Sequence, residues 1–172
     1  MRRQGVSGQK ARTDMIARII ENLSRQVKAA DLLRMLLEEE FAHLKGLSPQ
    51  QVAGVEFSIQ ELLRQLAAER MSIRTAYRTL SPEAKRLTDV LPHFPKEERE
   101  TALALFKTLD RLEQKCAKQA ENNYKMALGL YDQNRSYLDF IQKKITPKKN
   151  VYSANGRFGA AASNPAFLRG RY

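Results

Sequence analysis

The sequence predicts an all-α protein: an antiparallel bundle of three to four helices with one very long C-terminal helix and a flexible tail. Apolar residues recur at alternating three- and four-residue steps, and no segment alternates apolar and polar residues as a strand would. In addition, the stretch after Pro95 contains no proline before Pro147 and only one glycine, Gly129. A helix of about 50 residues would be roughly 75 Å long.

Length and composition are those of one soluble domain. With 172 residues, of which 42% are hydrophobic, the chain can bury a sizeable core. No apolar run approaches the roughly 20 residues of a membrane span, and no apolar signal core follows the basic N-terminus. We therefore expect a cytoplasmic protein. The single cysteine, Cys116, excludes a disulfide within the chain, and its place on an apolar seam predicts a buried thiol.

The net charge of +11 is concentrated at the two ends of the chain. Residues 1–13 and 145–172 hold nine of the 30 basic residues and no acidic residue. The other 21 basic residues are balanced by all 19 acidic residues. We expect the folded part to have a mixed-sign helical surface rather than a basic cleft.

Two helices of similar length are predicted before the long one, over residues 11–46 and 49–80. Between them, Gly46 suits a helix C-cap, Ser48 suits an N-cap followed by a proline, and Gln51 suits the third residue of a capping box. Two helices joined by so short a turn pack antiparallel.

A short helix over residues 82–91, started by Ser81 and Pro82, precedes a corner that the two following prolines impose. The long helix then runs to about Lys144, with acidic residues in its first turn and lysines in its last. Its first two thirds can complete the bundle, which leaves about a third over. Its predicted seam is Ala102, Phe106, Leu109, Glu113, Cys116, Ala120, Asn123, Ala127, Leu130, Asn134, Tyr137 and Ile141.

These boundaries predict three segments. Residues 1–11 form a disordered basic N-terminus, residues 12–146 form the helical bundle domain, and residues 147–172 form a flexible basic tail with no periodic apolar pattern.

The sequence does not predict an enzyme, because it contains no nucleophile with its base and no Gly-rich loop after a strand. Glu40 and His43 have the Glu-x-x-His spacing of helical di-metal sites. The only other histidine, His93, lies between prolines without such a partner. We interpret Glu40 and His43 as a solvated face and expect neither a metal nor another cofactor.

The later part of the long helix is rich in tyrosine, leucine and asparagine, distributed round more than one face. A helix end that nothing covered would be expected to be polar, so we expect a partner helix to bind here. Solvent exposure and a core role are the alternatives, and buried asparagines could instead fix helix register. The predicted binding residues are Asn123, Tyr124, Ala127, Leu130, Tyr131, Asn134, Tyr137, Leu138 and Ile141.

A family resemblance rests on the second half of the chain. Cys116, the pair Asn122-Asn123, the long aromatic and aliphatic helix, and VYSANG after a proline resemble the FlgN family of flagellar type III export chaperones, which end in a Tyr-x-x-x-Gly motif. The stretch LLEEE in helix one is also similar. The resemblance covers about residues 15–158 and leaves out the basic N-terminal extension and the residues after Gly156.

The resemblance implies a chaperone that holds the C-terminal helical region of hook-filament junction (hook-associated) proteins and delivers them to the flagellar export gate. The family's tail tyrosine falls on Tyr152, with Gly156 completing the motif, and implies docking to the cytosolic domain of the gate's membrane protein. An oligomer is compatible with this. The alternative from another class is a nucleic-acid-associated coiled-coil protein that uses its basic termini, and its binding would weaken steeply with salt.

Overall fold

The computed structural model describes residues 3–145, with side chains from residue 9 onward. It confirms the all-α fold class, since this range contains four α-helices, one 3-10 turn and no strand. The chain divides into two compact units, Met1–Gly129 and Leu130–Tyr172. The elements are α1 (Arg3–Lys45), α2 (Pro49–Leu80), α3 (Leu87–Val90), the 3-10 turn Leu91–His93, and α4 (Lys96–Ile145).

Helix α1 begins at Arg3, eight residues before the predicted start. Residues 3–10, which the sequence assigned to a disordered segment, are therefore helical in the structure. Extending an existing helix adds one hydrogen bond per residue without a new nucleus, and no proline interrupts this stretch. Its two glycines lower helix propensity but do not end the helix.

The turn between α1 and α2 differs from the predicted caps in its details. Leu47, and not Gly46, has the left-handed conformation, with φ of 53°. The Ser48 N–H donates to His43 O at 3.1 Å and the Leu47 N–H to Leu44 O at 3.2 Å, which is the Schellman arrangement. Ser48 is the N-cap of α2, as predicted, but its side chain bonds no helix N–H, so the predicted capping box with Gln51 is wrong.

Helices α1 and α2 pack antiparallel, as predicted. A buried polar group at their contact is Asn22, whose Nδ2 donates to Glu69 O at 3.1 Å and also to the Glu69 carboxylate. Arg25 binds the same carboxylate through two hydrogen bonds of 2.8 and 3.0 Å. The hydrogen bond from Arg25 holds the pKa of Glu69 below its usual value. One carboxylate thus joins the two helices and stays ionised.

The connection from α2 to α4 is less helical than predicted, because α3 begins only at Leu87. The Asp89 carboxylate accepts the backbone N–H groups of Lys85 and Arg86, both at 2.9 Å, which hold its pKa below the usual value. These two bonds fix a turn where the sequence suggested a first helical turn. Leu87 and Val90 are buried here, as the pattern indicated.

Within Met1–Gly129, α4 contributes a buried line with a seven-residue period: Ala102, Leu109, Cys116 and Asn123. Half of the predicted seam is therefore correct. Of the other four seam residues in this unit, Glu113 is half-buried, and Phe106, Ala120 and Ala127 are exposed, so the prediction for these three is wrong. The row that is half-buried throughout is Leu105, Leu112, Gln119 and Met126. A helix can place a second apolar row on either side of the first, and the sequence alone did not decide which side faces α1.

Two hydrogen bonds show that α4 runs parallel to α1. The Cys116 thiol contacts Ala30 O at 3.4 Å, and Asn123 Nδ2 donates to Leu37 O at 2.8 Å. Both pairs are 86 residues apart in sequence. As expected, Cys116 is buried, and its burial raises the pKa of the thiol.

Asn123 is 4% exposed and fully bonded. Its Nδ2 also donates to Glu40 Oε2 at 2.6 Å, and its Oδ1 accepts from Gln119 Nε2 at 2.9 Å. Glu40 therefore has a structural role, and the solvated face that the sequence suggested for it is wrong. Shifting α4 by one residue would leave this buried amide without its partners.

Replacing Leu47 with glycine should stabilise the protein by about 0.5–1 kcal/mol, because a left-handed residue with a Cβ is strained by about 1 kcal/mol or more. Leu47 is 69% exposed, so little packing is lost. Leu47→Ala is the control, since it shortens the side chain but keeps the Cβ. Urea unfolding should show a gain for glycine alone. Equal stability of the two variants would contradict the strain.

Replacing Asn123 with alanine should cost about 1–3 kcal/mol, since Glu40 and Gln119 lose their buried partner. The matched control is Asn122→Ala at the exposed neighbouring position, which should change stability by less than about 0.5 kcal/mol. Chemical denaturation of both variants measures the difference. A similar loss for both would show that Asn123 does not fix the packing of α4.

Candidate functional site

Inside Met1–Gly129, the outward face of α4 carries several large apolar side chains. Leu103, Phe106, Tyr124 and Leu128 are all exposed. Around the last two, charged residues pair with each other: Lys125 Nζ contacts Glu121 Oε1 at 2.5 Å and holds the pKa of that carboxyl below its usual value. These four apolar side chains lie outside the hydrophobic core of the unit.

The described part of the second unit is the helical segment 130–145. Every side chain in it is exposed except Leu130, which is half-buried. Six large apolar residues have exposed fractions between 46% and 68%. They are Tyr131, Tyr137, Leu138, Phe140, Ile141 and Ile145.

Helical periodicity gathers most of these residues on one side. At about 100° per residue, Leu130, Tyr131, Tyr137, Leu138, Ile141 and Ile145 fall within about a third of the helix circumference. Asn134 lies at the centre of that arc, and Phe140 lies outside it, about 120° from the centre. We call this arc the apolar stripe. The expectation that apolar residues are distributed round more than one face therefore holds only for Phe140 within residues 130–145.

Polar and charged residues occupy the rest of this segment. They are Asp132, Gln133, Arg135, Ser136, Asp139, Gln142, Lys143 and Lys144. Lys144 lies 5.7 Å from the Phe140 ring centroid, a cation–π contact with the one aromatic residue of this segment that lies outside the stripe. The segment is thus amphipathic, with an apolar face that is exposed to solvent.

The structure sorts the predicted binding residues into three groups. Asn123 is buried and bonded to α1, so it is not available to a partner and we remove it from the site. Tyr124 and Ala127 are exposed in the first unit. The others, Leu130, Tyr131, Asn134, Tyr137, Leu138 and Ile141, lie on the apolar stripe. Tyr152 and Gly156 lie outside the described residues.

Sequence reasoning missed Ile145, which is 68% exposed on the stripe. The signal was present, because Tyr131, Leu138 and Ile145 recur every seven residues. The predicted seam, which starts at Ala102 and continues along the whole helix, does not include Tyr131, Leu138 or Ile145.

The Glu-x-x-His spacing of Glu40 and His43 leads to no metal centre in the described part of the chain. His43 Nε2 lies 3.6 Å from Glu39 Oε1, while Glu40 bonds Asn123. Across residues 3–145, no group of three or more His, Cys, Asp and Glu side chains could hold a metal ion. In the same range, no helix is both long enough and apolar enough to span a membrane.

The sequence matches the protein family described as FlgN protein over residues 15–158. Searches among curated proteins and among solved structures returned no match. The matched range includes the three-helix core, the apolar stripe and the segment with Tyr152. Since the match covers most of the chain, this protein belongs to the FlgN family, a family of flagellar export chaperones.

Proposed function

We propose that this chaperone binds the C-terminal helical region of hook-filament junction proteins in the cytosol and delivers them to the flagellar export gate. The observation that carries the proposal is the apolar stripe, which is exposed although its composition is that of a helix–helix interface. Family membership supports a flagellar protein as the client. The two together favour a helical client segment as the occupant of the stripe.

The energetics of the stripe favour a partner. A large apolar side chain gains about 1.5–3 kcal/mol when it moves from water into a packed interface. Six such residues in one arc, each already partly covered, therefore provide a favourable free energy of the same order as the cost of association. Leu, Ile and Tyr side chains at three- and four-residue steps suit the anchors of an amphipathic helix.

Asn134 adds selectivity at the centre of the stripe. A polar side chain in the middle of an apolar helix interface lowers affinity for purely apolar partners and favours one that offers an amide or carbonyl group. We therefore propose that the client presents a hydrogen-bonding side chain opposite Asn134. This would also set the register of the client helix.

Delivery is proposed to use the tail. Tyr152 lies a few residues after the end of α4 and is flanked by Lys148, Lys149 and Arg157. The resemblance to the family's tail motif supports its role as the anchor for the cytosolic domain of the export-gate membrane protein. A tethered aromatic residue would be presented at high local concentration while the stripe holds its client.

Client binding should depend on the side of the helix that is changed. Leu138→Asp should abolish binding of a client C-terminal segment, because it places a charge in an apolar interface. Phe140→Asp is a closely matched control: both residues are 59% exposed, and Phe140 lies outside the stripe, about 160° round the helix from Leu138. Isothermal titration should therefore separate the two variants by at least about tenfold in affinity, and Tyr137→Asp should behave like Leu138→Asp.

Both variants should keep their helical content, measured by circular dichroism. Ile59→Asp or Leu109→Asp should instead unfold the protein, because both residues lie in the core. Equal client affinity of the Leu138 and Phe140 variants would rule out the stripe. Binding of duplex DNA with a steep salt dependence, in place of client binding, would favour the nucleic-acid alternative.

Replacing Tyr152 with alanine should leave thermal stability and client affinity nearly unchanged but remove docking to the gate domain, and hence motility. Losing one buried aromatic anchor typically costs about 2 kcal/mol or more, which weakens a micromolar contact beyond use. Tyr172→Ala serves as the control at a second tail tyrosine. A titration of the gate domain that shows unaltered affinity for the Tyr152 variant would make the tail a spacer.

A further inference from the structure

The outward surface of the second half of α2 lacks acidic side chains. The second half of this helix, residues 66–80, contains one acidic residue, Glu69. Its carboxylate is turned toward α1, where Asn22 and Arg25 bind it. The solvent side of this half-helix therefore carries no carboxylate of its own, although the sequence count indicated a balanced surface.

Two arginines on that side have no ionic partner. Arg74 and Arg78 are exposed and make no hydrogen bond or ion pair with any residue in the described range. Arg70, at the edge, differs because it is paired with Glu113 at 2.7 Å. Met71 is 63% exposed, three residues before Arg74 and seven before Arg78. At these spacings the three side chains share one helix face.

We propose that this surface, Met71 with Arg74 and Arg78, binds an acidic helical segment of another protein. We call it the α2 basic face. Arg74 and Arg78 are four residues apart, so their positions differ by about 6 Å along the axis. Glutamates four residues apart on a partner helix have the same spacing, and each guanidinium can bind a carboxylate through two hydrogen bonds. Met71 supplies an adaptable apolar contact for a neighbouring leucine.

A protein segment fits this surface better than a single-stranded nucleic acid does. Single-stranded nucleic acid needs exposed aromatic rings for base stacking. In residues 66–95 the aromatic residues are Tyr77 and Phe94, and both are buried. Burial raises the pKa of Tyr77 to about 12, in keeping with a phenol that stays neutral in the core.

A membrane surface fits less well for a different reason. Helices that lie on membranes insert a broad apolar face between the lipid headgroups. The apolar face of α2 is already used in the core by Leu66, Ile73 and Tyr77. Outside that face, α2 exposes three large apolar side chains, Phe57, Leu63 and Met71. Spread over 15 positions, they do not form a broad apolar face.

The α2 basic face lies in Met1–Gly129, whereas the apolar stripe lies in the second unit. The inference therefore goes beyond the proposed function and does not depend on it. Variants of Arg74 and Arg78 can fail to affect the acidic partner while Leu138→Asp still abolishes client binding, and the reverse can also occur.

The test is a titration with a labelled helical peptide of about 20 residues that carries glutamates four residues apart and leucines on the same face. Wild-type protein is compared with Arg74→Glu/Arg78→Glu. The matched control is Arg111→Glu/Lys115→Glu on α4, since these two cations are also exposed, four residues apart and without an ionic partner in residues 3–145. Both double variants change the net charge by the same amount.

We expect the α2 variant to lose at least about tenfold in affinity and the α4 variant to stay within about threefold of wild type. Met71→Ala should weaken binding by a smaller factor, and salt should weaken the wild type but not the residual binding of the α2 variant. Circular dichroism checks folding, and Arg74→Gln/Arg78→Gln replaces the α2 variant if charge reversal unfolds it.

Three results would overturn the proposal. The first is an equal loss in both double variants, which would indicate general charge attraction. The second is unchanged binding of the same peptide with glutamine in place of glutamate. The third is tighter binding of duplex DNA or of vesicles with about a third of anionic lipid than of the peptide, which would assign the face to a different class of partner.

Discussion

Two buried amides determine how the three long helices fit together. Asn22 joins α1 to α2 through Glu69, and Asn123 joins α4 to α1 through Leu37 O and Glu40. An unbonded buried amide costs about 1–3 kcal/mol, so each contact is favourable in only one register. Apolar side chains alone would tolerate a shift by a heptad at smaller cost. The amides therefore give this bundle its specificity, while its leucines and isoleucines supply the burial.

The inward direction of Asn123 also decides which side of α4 remains exposed in the first unit. With Ala102, Leu109, Cys116 and Asn123 turned to the core, the row with Phe106 and Tyr124 is left on the outside. In the second unit, every residue of the apolar stripe after Leu130 is exposed. A chaperone needs such a surface, since it must bury apolar area with a client and release it again. Stability and the proposed client binding thus depend on different residues of one long helix.

Charge follows the same logic. Between the termini, acidic and basic residues are nearly equal in number. Ion pairs, however, neutralise the charges on some helix faces and not on others. Glu69 is used between α1 and α2, while Arg74 and Arg78 form no ion pair in the described part of the chain. Coulomb interactions depend on distance and burial, not on composition, so one helix face can be basic although the count of the segment is balanced. Only the packing of α1 on α2 shows that the Glu69 carboxylate is turned away from the arginines on the outward face of α2.

The sequence by itself determined the helical class, the ends of α2 and α4, the burial of Cys116 and the apolar character of the C-terminal part of α4. Each follows from local rules of periodicity, proline position and terminal charge. The tertiary structure decided the side of α4 that faces α1, the burial of Asn123, the role of Glu40 and the unpaired arginines of α2. These depend on residues 40 or more positions apart, and a helix with apolar residues on two adjacent rows can pack through either one. Which row is buried is settled by the hydrogen bonds that only one packing satisfies.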